Sequence, residues 1–315
     1  MKKLICLAIT LIIMALGAVS CADIEKANDK LTVVCTIFPQ YDWVKNIVKG
    51  TDAEVLLLTD NGIDLHNFQP TARDIVDIAR SDLFLYVGGT SDSWAGDVLS
   101  TTAKGVRSVA MMALVEAKSE EEIEGMEHEH GHDHEHEEYD EHVWLSIRNA
   151  KEICWKISDE LCEIDEQNAD IYRKNTESYV EGLRELEQKY ADMADSLDKN
   201  TLIFGDRFAF RYLLDDYGFR YYAAFPGCST DTEASFETIR FLASKVDETG
   251  AKYVMIAKGD SDSIAKTVIQ NTRTKDQGIL ALDSLQSITK EEIESGASYI
   301  GAMEKNLAVI EKALS

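Results

Sequence analysis

The stretch LTVVCTIFPQYDWVKNIVKG, residues 31–50, decides the fold class. Its first half is a short apolar run, which predicts a buried strand. Pro39 then stands near the start of a helical pattern and Gly50 at its end, as is typical of helix boundaries. A buried strand followed directly by a helix indicates one unit of an α/β fold.

The same alternation of strand and helix continues along the chain. It runs through AEVLLLT, PTARDIVDIARS, DLFLYVGG and GVRSVAMM, then stops at a long proline-free helical region from Ile147 to about Leu197. It resumes with the strand patterns TLIFG, FRYYAAF, AKYVMIAK and GILAL, each followed by a helical pattern, the last of them a final helix from Glu291. We therefore expect two parallel-sheet α/β lobes joined by a long, rigid backbone helix.

The domain order follows from these patterns. We expect a signal peptide, a short tether, an N-terminal α/β lobe, a connecting helix and a C-terminal α/β lobe. Their boundaries are residues 1–20, 21–29, 30–164, 165–197 and 198–315. Residues 116–139 of the N-terminal lobe are polar, acidic and rich in histidine, with no apolar periodicity, which predicts a loop.

The N-terminus, MKKLICLAITLIIMALGAVSCAD, has the form of a secretion signal. Cys21 directly follows small residues, as in a bacterial lipobox, so we expect it to be lipidated and to tether the protein to the cell membrane. Cleavage near Ala22, which would release a soluble periplasmic or secreted protein, is the alternative. No later stretch is long and apolar enough to span a bilayer.

Charge and cysteine usage exclude some functions. The chain has 32 Lys and Arg against 57 Asp and Glu, a formal charge of −25, which argues against a nucleic-acid partner. No CxxC spacing indicates a thiolate zinc site. Cys154 and Cys162 are too far apart on one helix for a disulfide. Buried thiols are the simplest expectation, and one long-range bridge involving Cys35 or Cys228 stays open.

Four potential metal ligands stand at the ends of predicted elements. His66 lies in the loop after AEVLLLT, Asp206 directly after TLIFG and Asp283 directly after GILAL. His142 precedes the long helical region. Ligands of open α/β sheets bind beyond the carboxyl ends of the strands, so these side chains suggest one site between the lobes. Two imidazoles and two carboxylates suit zinc or manganese.

Six of the seven histidines fall in EHEHGHDHEHEEYDEH, residues 127–142. His142 differs from the others because it adjoins VWLS and a helix start, where packing can hold it. The remaining five alternate with acidic or glycine residues: His128, His130, His132, His134 and His136. Their imidazoles are mostly neutral near pH 7 and able to bind metal. We expect a weak accessory site for metal capture or sensing.

Several motifs resemble those of the metal-binding receptors of zinc and manganese ABC importers. IDLHNFQPTARDI and DEHVWLSIRNA are similar to the two histidine motifs of that family. FAFRYLLDDYGF, ALDSL and the closing YIGAMEKNLAVIEKAL resemble further segments of it, in the same order along nearly the whole mature chain. A histidine-rich loop ahead of the second motif is typical of the zinc-binding branch.

The resemblance implies that His66, His142 and Asp283 bind the ion. The family's third ligand, a His or Glu, aligns with Arg207, whose charge would repel a metal ion. We therefore expect Asp206 to take that role. Glu233 is the second candidate, and a water molecule with three protein ligands is the third.

The function implied by the resemblance is that of an extracytoplasmic zinc receptor rather than an enzyme. It would be a monomer that delivers Zn²⁺ to a membrane permease driven by an ATPase. Manganese is the alternative cargo. A zinc hydrolase is a rival reading, although no HExxH segment or nucleophile–base constellation is present. A surface metal buffer or adhesin, in which the histidine-rich loop is the functional part, is another.

Overall fold

The computed structural model describes residues 30–121, 123–126, 139–227 and 233–315. Its strands are β1 Thr32–Cys35, β2 Glu54–Leu57, β3 Leu83–Tyr86, β4 Arg107–Ala110, β5 Thr201–Arg207, β6 Arg220–Phe225, β7 Tyr253–Ala257 and β8 Gly278–Leu282. They form two four-stranded sheets, in the orders β2-β1-β3-β4 and β6-β5-β7-β8. Every pairing between these strands is parallel.

Helices connect the strands and link the two sheets. They are α1 Phe38–Ile47, α2 Ala72–Arg80, α3 Trp94–Thr101, α4 Ile147–Ile164, α5 Ala169–Ser196, α6 Arg211–Asp216, α7 Phe236–Thr249, α8 Ser263–Gln270, α9 Lys290–Glu294 and α10 Tyr299–Leu314. This arrangement confirms the predicted class of two parallel-sheet α/β lobes with a long helix between them. Among the described residues, no helix combines the length and the apolar character that crossing a bilayer requires.

The sheets share one strand order, and this order positions the site. In each sheet the second strand is added on one side of the first, and the third and fourth strands are added on the other side. The strand order therefore reverses between the two central strands, which are β1 and β3 in the first sheet and β5 and β7 in the second. In open α/β sheets, the loops at the carboxyl ends of strands beside such a reversal leave a crevice for ligands. Each lobe therefore has one such crevice, at the carboxyl ends of its two central strands.

Helix α5 is 28 residues long and joins the lobes through one continuous core. Its buried side chains recur every three or four residues, the spacing of one helix face: Tyr172, Thr176, Val180, Leu183, Leu186, Tyr190 and Met193. The same core cluster contains Trp43 of the N-terminal lobe and Phe204 of the C-terminal lobe. The connection between the lobes is thus packed rather than open.

A buried carboxylate strengthens this connection. Asp42 in α1 accepts the hydroxyl of Tyr179 at 2.8 Å and the backbone N–H of Tyr299 at 3.1 Å through the same oxygen. The ring of Trp43 meets the ring of Tyr299 at a centroid distance of 5.2 Å in an edge-on geometry. Helices α1, α5 and α10 are therefore tied together by hydrogen bonds as well as by apolar contact.

Two predicted element boundaries are wrong. Strand β5 does not end before Asp206, because its pairing with β6 continues through Arg207 after a register shift. The predicted final helix from Glu291 is divided into α9 and α10. Gly296, with φ of 91°, ends the first of these, and the Ser298 hydroxyl accepts the backbone N–H of Gly301 to cap the second.

The described thiols behave as buried apolar groups. Cys35, Cys154 and Cys162 are free and buried. Burial raises the pKa of the Cys154 thiol well above its ordinary value, so this residue is unreactive near neutral pH. Cys228 lies outside the described residues, as do Cys21 and the five loop histidines.

Candidate metal site

His66 is held by contacts on two sides. It lies in the 3-10 turn Leu65–Asn67 after β2. Asp64, at the start of this turn, accepts the backbone N–H of His66 at 2.9 Å. Ser91, in the loop after β3, places its hydroxyl 2.5 Å from Nδ1 of the His66 ring. With Nδ1 engaged, the ring presents Nε2 toward His142.

His142 is fully buried and is held in a similar way. It precedes the 3-10 turn Val143–Leu145. One oxygen of Asp140 accepts the backbone N–H of His142 at 2.9 Å and lies 2.8 Å from Nδ1 of its ring. The ring packs against Trp144 at a centroid distance of 5.2 Å, and the Trp144 indole N–H donates to the Ser284 carbonyl of the other lobe at 2.9 Å.

Both histidines follow an aspartate by two residues. In DLH and in DEH the Asp carboxylate accepts the backbone N–H of the His, the side-chain-to-backbone bond of an Asx turn. Such a local bond fixes the direction in which each ring leaves the backbone. The two D-x-H triplets are visible in the sequence, so this signal could have identified Asp64 and Asp140 as site residues in advance.

The two imidazoles meet at a distance that suits one metal ion. Nε2 of His66 lies 3.4 Å from Nε2 of His142. Tetrahedral zinc with nitrogen ligands at about 2.0–2.1 Å places two such nitrogens roughly 3.3 Å apart. The separation is longer than an ordinary N–H···N hydrogen bond needs to be. The pair therefore has the spacing of two ligands of a single ion.

Polar side chains from both lobes surround this pair in what we term the interlobe cleft. The cleft is lined by Asp64, His66, Arg207, Lys258, Asp260 and Gln286, among others. Arg207 Nη2 lies 2.9 Å from Asp260 Oδ2 and 3.6 Å from Asp64 Oδ2. The surrounding groups orient the Gln286 amide so that its nitrogen donates to Asp64 Oδ1 at 2.9 Å. Its oxygen then accepts from His142 Nε2 at 2.7 Å.

The imidazoles differ in their readiness to bind a proton. Burial lowers the pKa of His66, and the nearby His142 lowers it further. Burial also opposes charge on His142, but the negative charge and hydrogen bond of Asp140 outweigh it and raise the pKa of His142. Both ring nitrogens of His142 face acceptors, which agrees with this direction. The lowered pKa keeps the His66 imidazole neutral near pH 7, so that it can bind a cation without losing a proton, whereas a cation at His142 competes more strongly with a proton.

Glu141 supports His66 indirectly. It is buried, and its Oε1 accepts the backbone N–H of Ser91 at 3.0 Å, the residue whose hydroxyl contacts the His66 ring. Gly89 leaves the space that the Glu141 side chain occupies, because a Cβ at that position would collide with the carboxylate. Glu141 therefore helps to position the loop behind His66.

Asp206 lies apart from the two imidazoles. Its Oδ2 accepts the backbone N–H of Ala257, at the end of β7, at 3.2 Å. Burial and the negative charge of Asp260 raise the pKa of Asp206 to about 6. The side chain that β5 sends into the interlobe cleft is that of Arg207.

The other two candidate ligands also make no contact with the imidazoles: the Asp283 carboxylate bonds to other groups, and Glu233 lies on the surface. Asp283 follows β8, and its Oδ2 accepts from Lys258 Nζ at 2.9 Å while its Oδ1 accepts the backbone N–H of Leu285 at 2.9 Å. Lys258 also donates to Glu292 at 2.7 Å. Glu233 is exposed just before α7.

The structure thus brings together the two histidines of the predicted set but neither aspartate. Across the described ranges, no three His, Cys, Asp or Glu side chains converge closely enough to hold a metal ion. The four-ligand set of His66, His142, Asp206 and Asp283 stays a prediction. Sequence reasoning did not foresee Ser91, Gln286 or the ion pair of Arg207 with Asp64, which depend on contacts between distant segments.

Two parallel α/β lobes with a packed connecting helix and a polar cleft between them define a two-lobed binding protein. The sequence shows to which family of binding proteins the chain belongs. Residues 33–313 match the family described as "ZnuA: Zinc-uptake complex component A periplasmic", and the chain belongs to this family. The resemblance seen in the motifs is therefore confirmed.

Individual relatives show how far the similarity extends. The zinc-binding lipoprotein AdcA of Streptococcus pneumoniae is 30% identical over 318 residues, which cover 99% of this chain but 61% of that protein. The high-affinity zinc uptake system protein ZnuA of Bacillus subtilis is 31% identical over 294 residues, 92% of this chain and 89% of that protein.

A solved structure agrees with these sequence matches. The crystal structure of the Zn(II)-bound ZnuA-like domain of Streptococcus pneumoniae AdcA superposes with a TM-score of 0.70 at 27% identity. The match covers 90% of this chain and 99% of that domain.

Proposed function

We propose that this protein is an extracytoplasmic receptor that binds one zinc ion between its lobes and delivers it to an ABC-type metal importer. The observation that carries the proposal is the 3.4 Å separation of His66 Nε2 and His142 Nε2 at the interlobe cleft. Membership of the zinc-uptake family and the names of the zinc-binding relatives support zinc as the cargo. Manganese is the alternative cargo, for which carboxylate ligands would be more favourable.

The ligand set of this proposal is asymmetric. His66 and His142 are proposed as fixed ligands from the N-terminal lobe. Asp283 would complete the site only by leaving Lys258, with which its carboxylate now pairs. Asp206 would have to turn from the backbone N–H of Ala257. A water molecule in place of Asp206 would give three protein ligands, which is also an accepted zinc geometry.

The rest of the proposal concerns location and partners. We propose that Cys21 carries a lipid that anchors the monomeric protein at the outer face of the cell membrane. There it would meet a permease and its ATPase, and the domain boundaries would be those predicted from sequence. The five loop histidines would capture ions near the cleft with low affinity. The protein would act by binding alone, without catalysis.

A competitive zinc titration tests the central claim. The samples are the mature protein, the same protein lacking residues 127–138, and that deletion combined with His66→Ala, with manganese as challenger. Asn67→Ala serves as control, because Asn67 is an exposed neighbour in the same turn. We expect one tight zinc site that survives the deletion and weakens by about 100-fold or more with His66→Ala.

Other results would change the assignment. If the deletion removes all tight binding, the histidine run is the metal-binding element and the metal-buffer reading replaces the receptor site. If manganese displaces zinc at equal concentration, the cargo is manganese. If Asn67→Ala weakens binding as much as His66→Ala, the turn is needed for folding and His66 is not established as a ligand.

A further inference from the structure

A guanidinium group lies in the interlobe cleft. Arg207 ends β5, and its side chain is only 20% exposed. Its Nη2 bonds to Asp260 of its own lobe at 2.9 Å and lies 3.6 Å from Asp64 of the other lobe. A positive side chain therefore spans the boundary between the lobes at the place where an ion is proposed to bind.

Asp64, the residue that pairs with Arg207 across the cleft, also contacts the proposed metal ligand His66. Asp64 accepts the backbone N–H of His66, and it accepts the amide N–H of Gln286 as well. The oxygen of the same amide faces Nε2 of His142. An ion pair between Arg207 and Asp64 is thus followed by hydrogen bonds from Asp64 through Gln286 to His142, and this series of polar contacts across the cleft reaches both imidazoles.

The guanidinium of Arg207 and a bound metal ion would compete for the same carboxylates. The carboxylates of Asp64 and Asp260 attract any cation near the imidazoles. The guanidinium of Arg207 already forms ion pairs with both of them. An arginine is always charged and cannot lose its proton to make room for a metal ion. A divalent ion between the imidazoles would repel the guanidinium and would compete with it for the same carboxylates.

We propose that Arg207 is an internal counter-cation that tunes the affinity of the site for divalent metal ions. It bridges Asp64 and Asp260 until an ion enters, and it withdraws from Asp64 onto Asp260 as the ion binds. The positive charge weakens ion binding and favours release, so that capture and delivery exchange one cation for another. This inference rests on the proposed zinc-receptor function.

A purely architectural role for Arg207 predicts the opposite sign. If the ion pair only held Asp64 in place for His66, removing the guanidinium would loosen the turn and weaken metal binding. If Arg207 is a counter-cation, removing its charge strengthens metal binding. The sign of the change in zinc affinity therefore separates the two roles.

The test compares neutral and charged replacements in the full mature protein. Arg207→Met and Arg207→Gln remove the charge and keep most of the side-chain length, whereas Arg207→Lys keeps the charge. Arg273→Met is the matched control, because Arg273 pairs with Asp247 on the surface and its side chain is 78% exposed. Zinc dissociation constants are measured by competition with a chromophoric chelator, and folding is checked by thermal unfolding.

We expect both neutral variants to bind zinc at least about tenfold more tightly than wild type, and Arg207→Lys to stay within about threefold. The control should match wild type. If folded neutral variants bind zinc equally or more weakly, the counter-cation role is overturned while zinc binding by the wild type still stands. If the wild type binds no zinc, the proposed receptor function fails with it.

A second measurement follows the wild-type protein and does not rely on the zinc affinities of the variants. The side-chain Nε–H resonance of Arg207, assigned by its loss in any one Arg207 variant, is followed by NMR during zinc addition. We expect it to shift in step with zinc binding, while the Arg273 resonance does not move. An unmoved Arg207 resonance at saturating zinc would show that the guanidinium keeps its contacts, which overturns the proposal.

Discussion

The two lobes contribute to the interlobe cleft in different ways. The N-terminal lobe supplies two imidazoles, and an oxygen of the same lobe holds Nδ1 of each, from Ser91 for His66 and from Asp140 for His142. The C-terminal lobe supplies carboxylates that are already paired with cations. Asp260 pairs with Arg207, and Asp283 pairs with Lys258.

This difference between the lobes suggests that the position of a bound ion and the affinity for it depend on different residues. In the imidazole half, His142 is buried and His66 is half-buried, and both are oriented by bonds between residues two apart, which leaves the rings little freedom before an ion arrives. The carboxylate half consists of ion pairs that can break and re-form. We infer that the N-terminal lobe determines where an ion binds, and that the C-terminal lobe adjusts how tightly it is held.

The largest effect should come from the imidazole half. Asp140→Asn keeps an acceptor for the His142 backbone but removes the charge that faces Nδ1 of the ring. Loss of such a supporting partner of a metal-binding histidine weakens metal affinity by about 10–100-fold. A competitive zinc titration measures this, with Asp52→Asn, an exposed aspartate of the same lobe, as control. Unchanged affinity in a folded Asp140→Asn variant would refute rigid orientation of His142.

A second prediction concerns a feature that the lobes share. Asp92 in the N-terminal lobe and Asp206 in the C-terminal lobe are both buried carboxylates with a raised pKa. Burial raises the pKa of Asp92, after β3, to about 6 even though it accepts the backbone N–H groups of Val87 and Gly88. Burial and the charge of Asp260 raise the pKa of Asp206 to about 6.

These raised values make stability fall as pH rises. Below about pH 4 both carboxylates are protonated in the folded and in the unfolded chain. Between about pH 4 and pH 6 the unfolded chain has lost these protons and the folded chain retains them, so the free energy of unfolding decreases across this window. We expect each group to contribute about 1–2 kcal/mol of this decrease, smaller than a full shift of this size would give.

Urea unfolding at pH 4.5 and pH 7 measures the decrease. Asp92→Asn removes one of the titrating groups, so the difference in unfolding free energy between the two pH values should shrink. Asp159→Asn, an exposed substitution in α4, should leave the difference as it is in the wild type. An equal pH dependence in wild type and Asp92→Asn would mean that this carboxylate ionises normally in the folded protein.

The fold was predictable because its signal is local. Short apolar strands that alternate with helical patterns, as in residues 31–50, indicate parallel α/β lobes wherever they occur. The boundary at Asp206 was not predictable in this way, because β5 continues through Arg207 by pairing with Phe225 of β6. The break before α10 rests on the left-handed backbone of Gly296, which an exposed helical pattern does not reveal.

The approach of the two histidines to each other was predictable from the sequence, whereas the surroundings of the two aspartates were not. His66 and His142 follow elements whose ends must meet at the cleft, and each belongs to a specific motif. The placement of Asp206 and Asp283 depends on which neighbours compete for a carboxylate. Such competition, with the Ala257 backbone and with Lys258, arises from tertiary contacts that no spacing in the sequence encodes.

The smallest predicted effect tests whether Asp283 takes part at all. Lys258→Met removes the cation that engages its carboxylate, so Asp283 becomes free to reach an ion. We expect zinc affinity to rise about threefold to tenfold, because exposed ion pairs of this kind are worth up to about 1 kcal/mol. Lys258 is 44% exposed, and the free energy of unfolding should change by less than about 1 kcal/mol. Lys266→Met, which removes an exposed lysine paired with Asp262, is the control.

The combination of Lys258→Met with Asp283→Asn locates the cause of that increase. If freeing Asp283 is what tightens zinc binding, Lys258→Met should have no effect when residue 283 carries no charge, and the two substitutions should be strongly non-additive. If Lys258→Met tightens binding equally in both backgrounds, the lysine acts only through its long-range charge. Asp283 would then not be a ligand, and the site would consist of the two imidazoles with water or with a carboxylate released by Arg207.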